Sequence, residues 1–82
     1  MSETTSDHEK IIKWVEDRGG KPAKVKGTGT MLRFLFSDNP ALEEIGWDDF
    51  FKEFDSKNLA LLYQETTKDG KPSRFFKFVS RV

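Results

Sequence analysis

The sequence predicts an α+β domain in which two helices pack on one face of an antiparallel sheet of about four strands, in the order α-β-β-α-β-β. Two amphipathic helical patterns carry that reading, each followed by a pair of short alternating stretches. An Asp-Gly pair between the last two stretches adds a hairpin signal.

Taken in order, residues 1–6 are polar and acidic without periodicity, and are expected to form a disordered tail. Ser6-Asp7-His8-Glu9 has the form of a capping box, so the first helix is expected over about 7–18. Its apolar stripe is Ile11, Ile12, Trp14 and Val15, with Glu9, Lys13, Glu16 and Asp17 opposite. Gly19-Gly20 supplies a left-handed stop and Pro22 prevents the helix from resuming.

Residues 22–26 alternate Ala23 and Val25 with Lys24 and Lys26, the period of a half-exposed strand, and Pro22 belongs at an edge or a strand start. After the turn Gly27-Thr28-Gly29-Thr30, residues 31–36 form a second strand with Leu32, Phe34 and Phe36 on one side. Ser37-Asp38-Asn39-Pro40 breaks it. Trp47, Phe50, Phe51 and Phe54 then recur at i, i+3, i+4 and i+7, with Asp48 and Asp49 at the positive end of the helix and Asn58 as a left-handed cap. Residues 59–65 are apolar on both phases and suit a central strand. The Asp69-Gly70 turn leads into a last strand over 73–81. The two αββ halves have matching order and read as pseudo-equivalent.

The 82 residues make one domain, 1–82, with a modest core dominated by aromatics, since eight of eleven rings are Phe. The chain has no cysteine, which excludes disulfides and thiol chemistry and fits a reducing compartment. The N-terminus has no basic and apolar leader pattern, and no run approaches the ~20 apolar residues of a membrane span. A cytoplasmic location is expected, with no membrane association.

Catalytic groups are scarce. His8 is the sole histidine and has no partners at metal-ligand spacing. Glu43-Glu44 and Asp48-Asp49 are paired carboxylates without a calcium-loop pattern, and read as a solvated acidic helix start. The 27–30 turn lacks the Gly-Lys-Ser/Thr ending of a phosphate loop. The sequence therefore predicts no enzyme, no cofactor and no metal.

Charge is the remaining signal. The net charge is zero, yet segments 21–36 and 68–82 are basic while 37–58 holds seven acids against two lysines. With acids on the helices, the strands carry Lys24, Lys26, Arg33, Arg74, Lys77 and Arg81. In 73–81 the alternation separates Phe76 and Phe78, expected in the core, from Phe75, which shares a phase with Lys77 and Arg81. The candidate binding surface is thus Lys24, Lys26, Arg33, Phe75, Lys77 and Arg81. Its first expected use is association with a protein partner or a second copy through the sheet. Its second is weak binding of single-stranded nucleic acid by ring stacking and phosphate neutralisation.

Several stretches also carry a resemblance: His8-Glu9-Lys10-Ile11-Ile12-Lys13-Trp14, Arg18-Gly19-Gly20-Lys21-Pro22-Ala23, Ile45-Gly46-Trp47-Asp48-Asp49-Phe50-Phe51, Leu59-Ala60-Leu61-Leu62-Tyr63-Gln64, Ser73-Arg74-Phe75 and Val79-Ser80-Arg81. Together they resemble a family of short, uncharacterised bacterial proteins, some labelled glucan branching enzyme. The resemblance implies no activity, and that label does not fit a chain this short, because such enzymes resemble barrel hydrolases of ~250 residues. Phe76 and Gly46 depart from the family pattern, which often has a polar residue and Ser at these positions.

Overall fold

The structure is a computed structural model and describes residues 2–27 and 31–81. Eight elements follow in order: β1 (Ser2–Thr5), α1 (His8–Glu16), β2 (Lys21–Val25), β3 (Leu32–Leu35), β4 (Leu42–Glu44), α2 (Trp47–Ser56), β5 (Leu59–Gln64) and β6 (Phe76–Ser80). The α+β class is as expected, but the expected single sheet of four strands is replaced by two antiparallel sheets of three, ordered β1-β5-β6 and β3-β2-β4. The additional strands are β1 and β4. They are short and polar, so they show no hydrophobic alternation, and backbone pairing to β5 and β2 holds them.

The expected disordered tail is therefore corrected: Ser2 to Thr5 pairs with Gln64 to Leu61. With β1 and β4 included, the chain is two βαββ units, and each unit lends its first strand to the other unit's sheet. Two residues join β1 to α1 and two join β4 to α2, so the halves enter their helices alike.

The α1 cap falls one residue later than the sequence pattern predicts. Asp7 accepts from the Glu9 and Lys10 amides at 3.0 and 3.3 Å, placing a full negative charge at the positive helix end. Gly19, at φ +70°, ends the helix in the conformation only glycine adopts cheaply, and the Gly20 amide donates back to the Val15 carbonyl at 2.9 Å. Gly46 precedes α2 as its N-cap without a side-chain hydrogen bond, and the helix ends before Asn58, which takes φ 54° as expected. β2 and β3 pair as the expected hairpin; of their expected turn over 27–30, residues 28–30 lie outside the described residues. Pro22 is the second residue of β2, where its carbonyl still accepts from Ile45 at 3.0 Å.

One core serves both sheets and both helices. Ile11, Trp14 and Val15 of α1 and Phe50, Phe51 and Phe54 of α2 meet Leu32 and Phe34 of one sheet and Leu61 and Tyr63 of the other, with Phe76 and Phe78 packed against them. Phe34 is its hub, with ring centroids 6.1 Å from Trp14, 5.3 Å from Phe50 and 4.9 Å from Phe76. The Cα extents, 36 × 32 × 18 Å, are those of a two-layer slab.

Arg18 ties α1 to the β5–β6 connection. Its guanidinium donates to the Trp14 carbonyl at 2.9 Å, to the Glu65 carbonyl at 2.6 Å and to the Ser73 carbonyl, and lies 4.5 Å from the Trp14 ring centroid. Trp14 in turn donates its indole N–H to the Gln64 carbonyl at 3.1 Å. Among the described residues no helix is long and apolar enough to cross a membrane.

Candidate interaction surface

Antiparallel partners project to the same side of a sheet, so the pairing register sorts side chains between the helix-covered and open faces. In the β1-β5-β6 sheet, Leu61, Tyr63, Phe76 and Phe78 enter the core, and the alternate phase leaves Leu62 opposite Lys77 and Ala60 opposite Val79 on the open face. Phe75, just before β6, continues the Lys77 phase and is 48% exposed, one of two large apolar side chains so exposed among the described residues. Lys77 is exposed, and Leu62 and Val79 are half-buried. Phe75 and Lys77 thus face solvent together, flanked by apolar neighbours.

Of the other expected cations, Arg33 lies on the open face of its sheet but Lys24 does not. Arg33 is opposite Ala23, whereas Lys24 is opposite the core residue Leu32, so Arg33 and Lys24 project to opposite sides of their sheet. The sequence alternation assigned Ala23 to the core and Lys24 to the open face, and the register reverses this. Ala23 is small enough to be buried on the open face between Arg33 and Glu44, its partners on the two neighbouring strands. Lys24 is ion-paired with Glu43 at 3.9 Å, while Lys26 is exposed near the far end of β2.

Arg81 is structural. It donates to the Leu59 carbonyl at 3.0 Å, pairs with Asp55 at 3.0 Å, and lies 5.5 Å from the Phe54 ring centroid. Of the six predicted residues, Arg33 and Lys77 meet in one cleft between β3 and β6, and Phe75 lies beside Lys77 in sequence.

Sequence reasoning missed the grouping around Asp55. His8 Nε2 lies 3.0 Å from its carboxylate, and the His8 ring stacks on Phe51 at 3.9 Å and 9°. Hydrogen bonds from Arg81 and then His8 hold the Asp55 pKa below its ordinary value. This His-Asp pair joins the start of α1 to the end of α2, and spacing in the sequence gives no sign of it, because the partners are 47 residues apart.

A second depression, between β1, α1 and β5, is lined by Glu3, Lys10, Trp14, Asp17, Tyr63 and Glu65 among others, with both signs of charge present. Burial raises the Tyr63 pKa, and Glu3 and Glu65 add to the shift. Among the described residues no group of three or more His, Asp or Glu is placed to hold a metal ion. No family model, curated protein or solved structure matches the chain, so its functional reading rests on geometry.

Proposed function

We propose that the chain is a small non-enzymatic interaction module that binds a protein partner or a second copy of itself through the open face of its sheet layer. The observation that carries this reading is the exposed Phe75 ring, seated on the uncovered side with Leu62 and Val79 half-buried and Lys77 beside it. Along this face the order is Phe75, Lys77, Val79, with Leu62 across from Lys77, so aromatic and aliphatic groups surround one cation, a make-up suited to an association patch. A cytoplasmic setting belongs to the same reading, because a cysteine-free chain needs no oxidising compartment.

A photo-crosslinking amino acid at position 75, expressed in cells, tests it against the same group at Asp49 on the exposed face of α2. Adducts to a discrete species from position 75 and none from position 49 are expected. Equal labelling from both positions, or labelling from position 49 alone, would remove the open face as the interaction surface.

A second reading, weak binding of single-stranded nucleic acid, is favoured by the same juxtaposition of Phe75 and Lys77, since a base can stack on the ring while the ammonium meets phosphate. It ranks below the first because Lys24 and Arg81 are engaged by Glu43 and Asp55. It predicts salt-sensitive binding of oligo-dT that is lost in Phe75→Ala. A flat titration at low salt ends it.

A further inference from the structure

The two sheets end against each other along one seam. β3 is the edge of one sheet and β6 the edge of the other, and they are not paired with each other. The rings of Phe34, Phe76 and Phe78 fill the inner side, with Phe34 4.9 and 5.6 Å from the other two. The alternation of antiparallel hydrogen bonds identifies the backbone groups left at the seam. Val25 N–H donates to the Met31 carbonyl at 2.9 Å, so Met31, Arg33 and Leu35 turn toward β2 while Leu32 and Phe34 turn toward the seam. Arg81 N–H donates to the Asn58 carbonyl at 2.8 Å, so Val79 and Lys77 turn toward β5 while Phe76 and Phe78 turn toward the seam.

Edges of this kind recruit strands unless they are guarded. The Arg33 guanidinium donates to the seam-facing Leu32 carbonyl at 2.9 Å and so acts as a guard. The seam holds a cleft of about 430 Å³ lined by Arg33, Phe76, Lys77 and Phe78. Its charged lining is wholly cationic, and neither Arg33 nor Lys77 has an ion-pair partner among the described residues. The chain's own polar strand β1, which carries Glu3, is already engaged by β5.

We infer that the β3/β6 seam receives an extended acidic segment of another protein as an added strand. Its backbone takes up the edge N–H and carbonyl groups, its carboxylates draw Arg33 off the Leu32 carbonyl and meet Lys77, and its alternate apolar side chains rest on Phe76 and Phe78. The inference rests on the interaction-module reading and shares Lys77 with the open-face patch, but it uses the seam and not Phe75.

Fluorescence anisotropy with a labelled synthetic peptide, Thr-Glu-Val-Glu-Val-Glu-Thr, tests it. The comparisons are a Lys-for-Glu version, a version N-methylated at alternate backbone amides, and oligo-dT. The acidic peptide is expected to bind with Kd on the order of 10–100 µM, and N-methylation or Lys77→Glu to weaken it about tenfold, with Arg33→Glu adding to the loss. Circular dichroism checks that each variant folds; if Arg33→Glu does not, Lys77→Glu alone carries the charge test.

Phe75→Ser is expected to leave peptide affinity unchanged within about twofold, so that loss of the open-face reading and loss of the seam are separate results. The inference is overturned if acidic and basic peptides bind equally, if N-methylation has no effect, if no saturation is reached by about 1 mM, or if oligo-dT binds and the peptide does not.

Discussion

Replacing Arg18 by Ala removes three hydrogen bonds to carbonyls on two separate segments, Trp14 at the end of α1 and Glu65 and Ser73 in the β5–β6 connection. The bonds to Trp14 and Ser73 lie in partly buried surroundings, whereas the Glu65 carbonyl regains water. At about 1 kcal/mol net for each of the two sheltered bonds, and about 0.5 kcal/mol for the guanidinium over Trp14, the loss is about 2.5 kcal/mol. For a domain this size that lowers Tm by roughly 10–20 °C. Arg18→Lys keeps the charge but not the planar fork, and is expected to recover less than half of the loss. Urea unfolding followed by Trp fluorescence measures both. A variant Arg18→Ala within about 0.5 kcal/mol of the wild type, the level of an ordinary surface substitution, would refute the assignment of Arg18 as the tie between α1 and the hairpin.

Three further outcomes follow from the packing and charges. Gly20→Ala places its Cβ 2.7 Å from Phe36 and 2.8 Å from Val15, and is expected to cost about 1–3 kcal/mol in the same unfolding assay, the range for overpacking. Deleting residues 2–6 removes β1 and bares the β5 edge; lowered stability and concentration-dependent aggregation in light scattering are expected, where a disordered tail would leave both unchanged. Because the Asp55 pKa is lowered from 3.8 in the folded state, its stabilisation is present above that value and disappears as pH falls through the lower folded value. The stability gap between wild type and Asp55→Asn, under about 1 kcal/mol for so exposed a group, therefore closes in acid. A gap that widens in acid would contradict the assigned partners.

Much of the frame was legible because strong periodic signals agreed with the packing. Trp47, Phe50, Phe51 and Phe54 form the apolar face of α2, Gly19 and Asn58 stop the helices with positive φ, and Gly70 turns the hairpin tip at φ +79°. β1 and β4 were not legible, since Ser-Glu-Thr-Thr and Leu-Glu-Glu are held by backbone pairing to a neighbour and carry no pattern of their own.

The candidate surface was half legible for a related reason. The phase of residues 73–81 correctly separates Phe75 from Phe76 and Phe78, because bulky rings must choose the core. In residues 22–26 the only clues were Ala23 and Val25, and a small residue such as Ala23 can be buried on either face, so the alternation assigned Lys24 to the wrong side. Contacts such as Arg81 on Asp55 and Arg33 on the Leu32 carbonyl depend on tertiary placement or on which side of a strand is unpaired, and a charge count registers neither.

The central claim is that association runs through the open sheet face. Backbone amide chemical shifts of the ¹⁵N-labelled protein, followed as its concentration rises from about 50 µM to about 1 mM, test it most directly, because weak self-association through a small patch falls in that range. Shifts confined to Leu62, Phe75, Lys77, Val79 and their strand neighbours, and lost in Phe75→Ser, are predicted. Shifts that instead fall on the outward residues of α1 and α2, such as Glu9 and Lys52, or that persist unchanged in Phe75→Ser, would contradict it.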